Sequence, residues 1–189
     1  MALQHAILVS LCESAGSGYE LTRRFDRSIG YFWSTTHQQM YRTLRVMEDD
    51  GWVQVEAVTQ ESRPDKNVYS VTDAGREELS RWISQPLSGK GSAVTDTRTR
   101  DLAVKLRGAS YGDTNAHTAA VADQAAALRA ERTAQLQTYQ DYEKRQFPDP
   151  SALCGATLHQ YLVLRGGTRA EQNSIEWLDE VLAALGMAP

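Results

Sequence analysis

Apolar residues recur at helical spacing from the start of the chain. Leu3, Ala6, Ile7, Ser10 and Leu11 share one face of an amphipathic helix over 2–14, which Ala15-Gly16-Ser17-Gly18 then stops. A second helix is predicted over 18–29, with Leu21, Phe25 and Ile29 inward, Arg23, Arg24 and Arg27 outward, and Gly30 as its C-cap. After Tyr31-Phe32-Trp33, Thr36 with Gln39 three residues on has the form of a capping box. It opens a third helix that buries Met40, Leu44 and Met47 and closes at Gly51, after Glu48-Asp49-Asp50.

The period then changes from helical to alternating. Val53, Val55 and Ala57 against Gln54 and Glu56 predict a half-buried strand over 52–58, and a second strand is expected over 68–71. The polar stretch from Thr59 to Asn67, with Arg63-Pro64-Asp65-Lys66, supplies the turn between them. Thr72 caps a fourth helix over 73–85, with Leu79, Trp82 and Ile83 on its apolar face and Pro86 at its end. Three helices, a hairpin and a closing helix make a winged helix-turn-helix.

No strand pattern follows. Residues 87–95, LSGKGSAVT, have the composition of a linker. Beyond it three helical stretches are expected, at about 96–108, 114–146 and 151–185. On the long middle one Val121, Ala125, Leu128, Gln135, Tyr139 and Tyr142 form a three-four seam that wants a partner helix, with Arg132 falling on it. Leu158, Leu162, Ile175, Leu178, Leu182 and Leu185 make a similar stripe on the last, which Gly166-Gly167 either kinks or opens to close approach. The fold class is therefore mainly α with a small β-hairpin. Its domains are a winged helix-turn-helix over 1–86, a linker over 87–95 and a long-helix dimerisation region over 96–189, arranged as an antiparallel helical dimer arm.

Composition narrows the function classes. The chain has 189 residues, 41% hydrophobic and 23% charged, with no apolar run long enough for a membrane helix, so no membrane partner is expected. Its two cysteines, Cys12 and Cys154, lie far apart and suit a reducing cytoplasm better than structural zinc. Its four histidines have no carboxylate or cysteine at ligand spacing, and no nucleophile elbow, phosphate loop or zinc-protease motif is present. Neither an enzyme nor a cofactor or metal is expected. Net charge is −4, with ten basic and twelve acidic residues in 1–90 and the same numbers in 91–189. Bulk charge does not mark a nucleic-acid binder, so the placement of individual residues has to carry that reading.

That placement points to double-stranded DNA. In a helix-turn-helix the recognition helix presents its first residues to base edges while phosphate contacts set the register. His37, Gln38 and Gln39 are the expected base readers, and Tyr41, Arg42 and Arg45 the phosphate or guanine contacts. Arg63 and Lys66, in the turn, suit a groove edge. Arg23 and Arg24 are further candidates for the DNA backbone. For each of these the plainer role is a solvated charged surface. Trp33, Trp52 and Trp82 read as core or packing residues. Trp33, Tyr139, Tyr161 and Trp177, with Tyr142 and His159 nearby, are candidates to line an effector pocket, against the simpler role of packing between helices.

The ordered motifs Gly18-Tyr19-Glu20-Leu21, Phe32-Trp33, Tyr41-Arg42-Thr43-Leu44, Gly51-Trp52-Val53, Arg63-Pro64-Asp65-Lys66 with Val68-Tyr69, and Val71-Thr72-Asp73-Ala74-Gly75 resemble the bacterial PadR-type transcriptional regulators. The resemblance extends to Leu164-Arg165-Gly166-Gly167 and Glu176-Trp177-Leu178-Asp179-Glu180, and is most specific over 6–82. Gln38 and Val71 depart from the family's usual residues. The resemblance implies a homodimer that represses or activates nearby promoters, with the third helix in the major groove and the wing at the backbone or minor groove. It also implies release from the operator by a small molecule in some members. The alternative from another class is a winged helix serving as a protein-interaction module without specific DNA binding.

Overall fold

Helix α1 (Ala2–Glu13) carries apolar side chains around its whole circumference. Every residue from His5 to Leu11 is buried, so α1 runs through a core and is not the one-sided helix its spacing suggests. The computed structural model describes residues 2–27, 35–58, 66–89, 91–94 and 96–186. Ile29, Gly30, Tyr31, Phe32, Trp33, the turn from Thr59 to Asp65 and the side chain of Arg27 lie outside them. The residues fall into two compact units, Met1–Gln85 with Arg100–Val121, and Pro86–Thr99 with Ala122–Pro189.

In the first unit α2 (Gly18–Arg27) and α3 (His37–Asp49) pack beside α1 and contribute Leu21, Phe25, Met40, Leu44 and Met47 to the core. Strands β2 (Val53–Val58) and β3 (Lys66–Val71) pair antiparallel from Val53↔Val71 to Val58↔Lys66. A two-residue strand, β1 (Gly16–Ser17), adds to the other edge of β3 through Gly16↔Tyr69 and Ser17↔Val68, giving the order β1-β3-β2. The sequence reads Ala15–Gly18 only as a turn, because two residues cannot show a period. β3 also starts two residues earlier than expected, which moves Lys66 from the turn into the sheet. Alternation overstates burial in β2: Val53 is buried, but Val55 and Ala57 are exposed although Val55 pairs with the buried Tyr69, because β2 is an edge strand while β3 is flanked on both sides.

Helix α4 (Asp73–Ser84) is capped by Thr72 Oγ1, which accepts the Gly75 N–H at 3.1 Å, and buries Leu79 and Ile83. Polar side chains of other helices also grip it. His5 meets Glu78 at 2.8 Å and stacks on Trp82 at 4.2 Å. His117 meets the Ser80 hydroxyl at 2.8 Å, and the Lys105 ammonium donates to the Gln85 carbonyl. Thus most of α5 (Arg98–Gly108) and the first turns of α6 (Thr114–Gln146) belong to the first unit, whereas composition places the break at 87–95.

The second unit pairs the rest of α6 with α7 (Gly155–Ala184), which follows a 3-10 turn at Pro150–Ala152. The two helices run antiparallel: Arg129 meets Asp179, Tyr139 meets Gly167, and Glu143 meets Arg165 and Tyr161. α7 is continuous through Gly166-Gly167, so there is no break in the helix; a Cβ on Gly167 would come within 3.2 Å of the Tyr139 ring, so that glycine permits close approach. Part of the α6 seam is therefore covered within the chain. Arg132 is 1% exposed and donates to the Gly91 carbonyl at 2.7 Å and to Asp96. It also lies 3.6 Å from Glu171. Asp96 further accepts from Arg98, and Glu171 accepts the Ala93 N–H at 2.9 Å. Residues 91–94 and 96–98, read from composition as a linker that joins a helix at 96, are held by ion pairs and hydrogen bonds that span distant positions and leave no periodic trace.

Candidate nucleic-acid interface

Helix α3, the expected recognition helix, begins where the sequence places it. Thr36, extended at φ −85° and ψ 155°, accepts the Gln39 N–H on its hydroxyl at 3.2 Å, while Gln39 Oε1 accepts the Thr36 N–H at 3.1 Å. This reciprocal pair fixes the first turn of α3 and assigns the Gln39 amide to capping as well as to the surface. Gly51 closes the helix end at φ 72°, a left-handed conformation that glycine adopts without a Cβ penalty. His37, Gln38, Gln39, Tyr41, Arg42 and Arg45 are all exposed, whereas Met40, Leu44 and Met47 are buried. No acidic residue occupies the first turn of α3, and Glu48 and Asp49 sit in its last, so the partly positive helix terminus and the polar readers share one end.

The surroundings of this face were not legible from spacing. Gly18 opens α2 against the Tyr41 ring, and a Cβ there would stand 2.4 Å from Tyr41 Cε1. Ser17 and Glu20 form a second reciprocal cap, the carboxylate accepting the Ser17 N–H at 2.7 Å and its hydroxyl at 2.9 Å. Lys66 donates to the other Glu20 oxygen at 3.3 Å, so a cation expected to face DNA alone has an acidic neighbour. The Ser17 N–H and hydroxyl, with a lesser contribution from Lys66, hold the Glu20 carboxyl below its ordinary range against the opposing effect of burial.

Arg23 and Arg24 separate in role. Arg24 donates to the Ser10 carbonyl at 2.9 Å and the Ser14 carbonyl at 2.6 Å, which caps the end of α1. Arg23 is exposed, 6.0 Å from the Tyr19 ring. Arg23, Arg24, Glu20 and Lys66 line a cleft of about 430 Å³ at the root of the wing. Arg63 and Trp33 lie outside the described residues.

Within one chain Tyr139, Tyr161 and Trp177, expected to line an effector pocket at a dimer centre, do not converge on one cavity. Tyr139 lines a groove of about 840 Å³ with Tyr142, Phe147, Val163, Leu164 and Gly167. Tyr161 turns instead to Phe147, with ring centroids 5.5 Å apart, and to Glu143 at 3.3 Å. Trp177 shares α7 with Tyr161, and sixteen positions at 1.5 Å per residue put it ~24 Å along the helix. A three-four stripe brings residues to one face without bringing its ends together.

Comparison with known proteins finds relatives among transcriptional regulators. The model of the PadR-like transcriptional regulator family matches residues 7–81, and that of the virulence activator alpha C-terminal region matches 100–186. A Mycobacterium tuberculosis protein named "Probable transcriptional regulator" is 66% identical over 189 residues, covering 98% of each chain. The negative transcriptional regulator PadR of Bacillus subtilis is 28% identical, covering 97% of each chain. The crystal structure of Bacillus subtilis PadR in complex with operator DNA aligns with a TM-score of 0.45 at 27% identity, over 98% of this chain and 99% of that one. The winged helix-turn-helix and the long C-terminal helices thus belong to a chain that is a member of the PadR-like family of transcriptional regulators.

Proposed function

We propose that this protein binds operator DNA as a homodimer and acts as a repressor, with the first unit reading DNA and the second holding two copies together. The observation that carries the reading is the exposed end of α3, where His37, Gln38, Tyr41, Arg42 and Arg45 stand free of the core behind a fully formed capping box. In this reading α3 lies in the major groove, with Gln38 and His37 at base edges and Tyr41, Arg42 and Arg45 at phosphates or guanine. Lys66 and Arg63 of the wing border the backbone or minor groove. The Bacillus subtilis relative is named a negative regulator, which gives the sign adopted here.

Dimerisation draws support from apolar surface left open on the second unit, where Val163 is 78% and Leu162 55% exposed beside Tyr142. The groove at Tyr139 would take a planar, largely apolar effector whose binding releases DNA. The deciding experiment is fluorescence anisotropy of the full chain against its own upstream intergenic DNA and a scrambled duplex at two salt concentrations. Tighter binding to its own DNA at both salts, with affinity falling steeply as salt rises, is the expected result. Equal binding that vanishes with salt would overturn it and favour a protein-interaction module, a reading to which the acidic Glu48-Asp49-Asp50 end of α3 lends some surface. A panel of phenolic compounds added to the complex tests the effector, and sedimentation of the free protein tests the dimer.

A further inference from the structure

Tyr19 is a large aromatic residue that the core does not use. It is 56% exposed in the first turn of α2, yet its ring lies within 14° of parallel to the His37 imidazole, with centroids 6.2 Å apart. The Arg23 guanidinium stands 6.0 Å from the centre of the same phenol ring. One residue earlier, Gly18 leaves room for the Tyr41 ring. His37 and Tyr41 are four residues apart and share a face of α3, so the first turn of α2 braces both.

We infer that Tyr19 is a positioning residue for base recognition, holding the His37 imidazole in one orientation at the start of α3. The inference rests on the reading that α3 enters the major groove, and it deepens that reading by naming what makes one of its base contacts selective. An exposed imidazole at the first position of a helix samples several rotamers, and each must be frozen out before it can report on a base. An offset, near-parallel aromatic neighbour removes much of that freedom in advance, and the spacing here falls within the range at which ring pairs attract. Arg23 bears on the same ring, 6.0 Å from its centre. The Tyr19 hydroxyl has no part in this role, which separates it from a simple phosphate contact.

The test compares the wild-type full chain with Tyr19→Ala, Tyr19→Phe, His37→Ala and Tyr19→Ala/His37→Ala. Each is titrated by anisotropy with a duplex from the chain's own upstream intergenic region, its single-base variants and a scrambled duplex. Thermal melts confirm that the variants are folded, and the His37 ring proton shifts are recorded without DNA. Tyr19→Ala and His37→Ala are expected to flatten the preference at the same base positions, by about 2- to 12-fold. The double variant should lose no more than either, and Tyr19→Phe should keep both the preference and the His37 shifts. If Tyr19→Ala weakens every duplex alike, or if its effect simply adds to that of His37→Ala, the positioning role is overturned while the DNA-reading function stands. A wild type that does not distinguish its own DNA from scrambled DNA overturns the function itself, and this role with it.

Discussion

Two glycines differ in what they ask of the fold. A Cβ on Gly75 would meet the Trp52 carbonyl oxygen at 2.2 Å, and because that atom is backbone, α4 and the Trp52 strand entry would have to separate. Gly51, with φ 72° and open space around it, pays only the left-handed penalty. Gly75→Ala should therefore destabilise by at least about 2–3 kcal/mol, and Gly51→Ala by about 1 kcal/mol, as read by denaturant unfolding; equal losses would remove the steric account. Lys105 poses a different problem. Burial pulls its ammonium from 10.5 down to about 8, against the opposing pull of the Asp101 carboxylate. Between those values the unfolded chain binds more protons than the native one, so this group adds stability as pH rises through that window, while below about 8 its burial cost is fully present. Lys105→Met should flatten the rise between pH 8 and 10 relative to wild type, by an amount on the order of a few kcal/mol. Parallel curves would show that Lys105 titrates as if exposed.

At the scale of elements, the caps decide where helices begin and hence which side chains face outward. Thr36→Ala removes the acceptor for the Gln39 N–H and leaves only the return bond from the Thr36 backbone N–H to Gln39 Oε1. The expected cost is about 0.5–2 kcal/mol of stability, with a further loss of sequence preference, because His37 and Gln38 stand on the turn that frays. Thermal melts and anisotropy measured on the same sample separate the two effects. Thr36→Ser should restore both, since a hydroxyl is all the cap requires. The caps at Thr36 and Thr72 were legible because a hydroxyl followed by helical spacing is a local signal. β1 was not, because two residues become a strand only when β3 arrives beside them.

At the scale of the whole molecule, the second unit depends on buried charge. Arg132 and Asp96 are each about 2% exposed in their side chains and Glu171 is fully buried. Removing Arg132 would leave two carboxylates without their shared cation, so Arg132→Met should destabilise by roughly 3–5 kcal/mol. It should also speed hydrogen exchange at the Ala93 amide, which now rests on Glu171. Burial acts to raise the Asp96 carboxyl, but the Arg98 backbone N–H, the Arg98 guanidinium and Arg132 together outweigh it and hold it below its ordinary value. A depressed carboxylate contributes stability above its unfolded pKa and loses it as pH falls through the folded one. Acid unfolding should therefore be steeper in the wild type than in Asp96→Asn, whose baseline stability is lower at neutral pH.

The sequence by itself determined the order and bounds of nearly every helix, the hairpin, the caps at Thr36 and Thr72, the exposed polar face of α3 and the family. These are properties of neighbours within a few residues, where spacing and hydrogen-bond chemistry act directly. Only the tertiary structure decided that α1 is buried all round, that Arg24 caps α1, that Lys66 faces Glu20, that Tyr19 stacks on His37 and that Arg132 belongs to an ion network rather than to a seam. Each of these joins residues from different elements or, for Arg24 and α1, depends on what packs around them. The physical reason is that periodicity reports which face of an element is apolar, while the partner of a charge or ring is set by what the rest of the chain brings within a few ångströms of it.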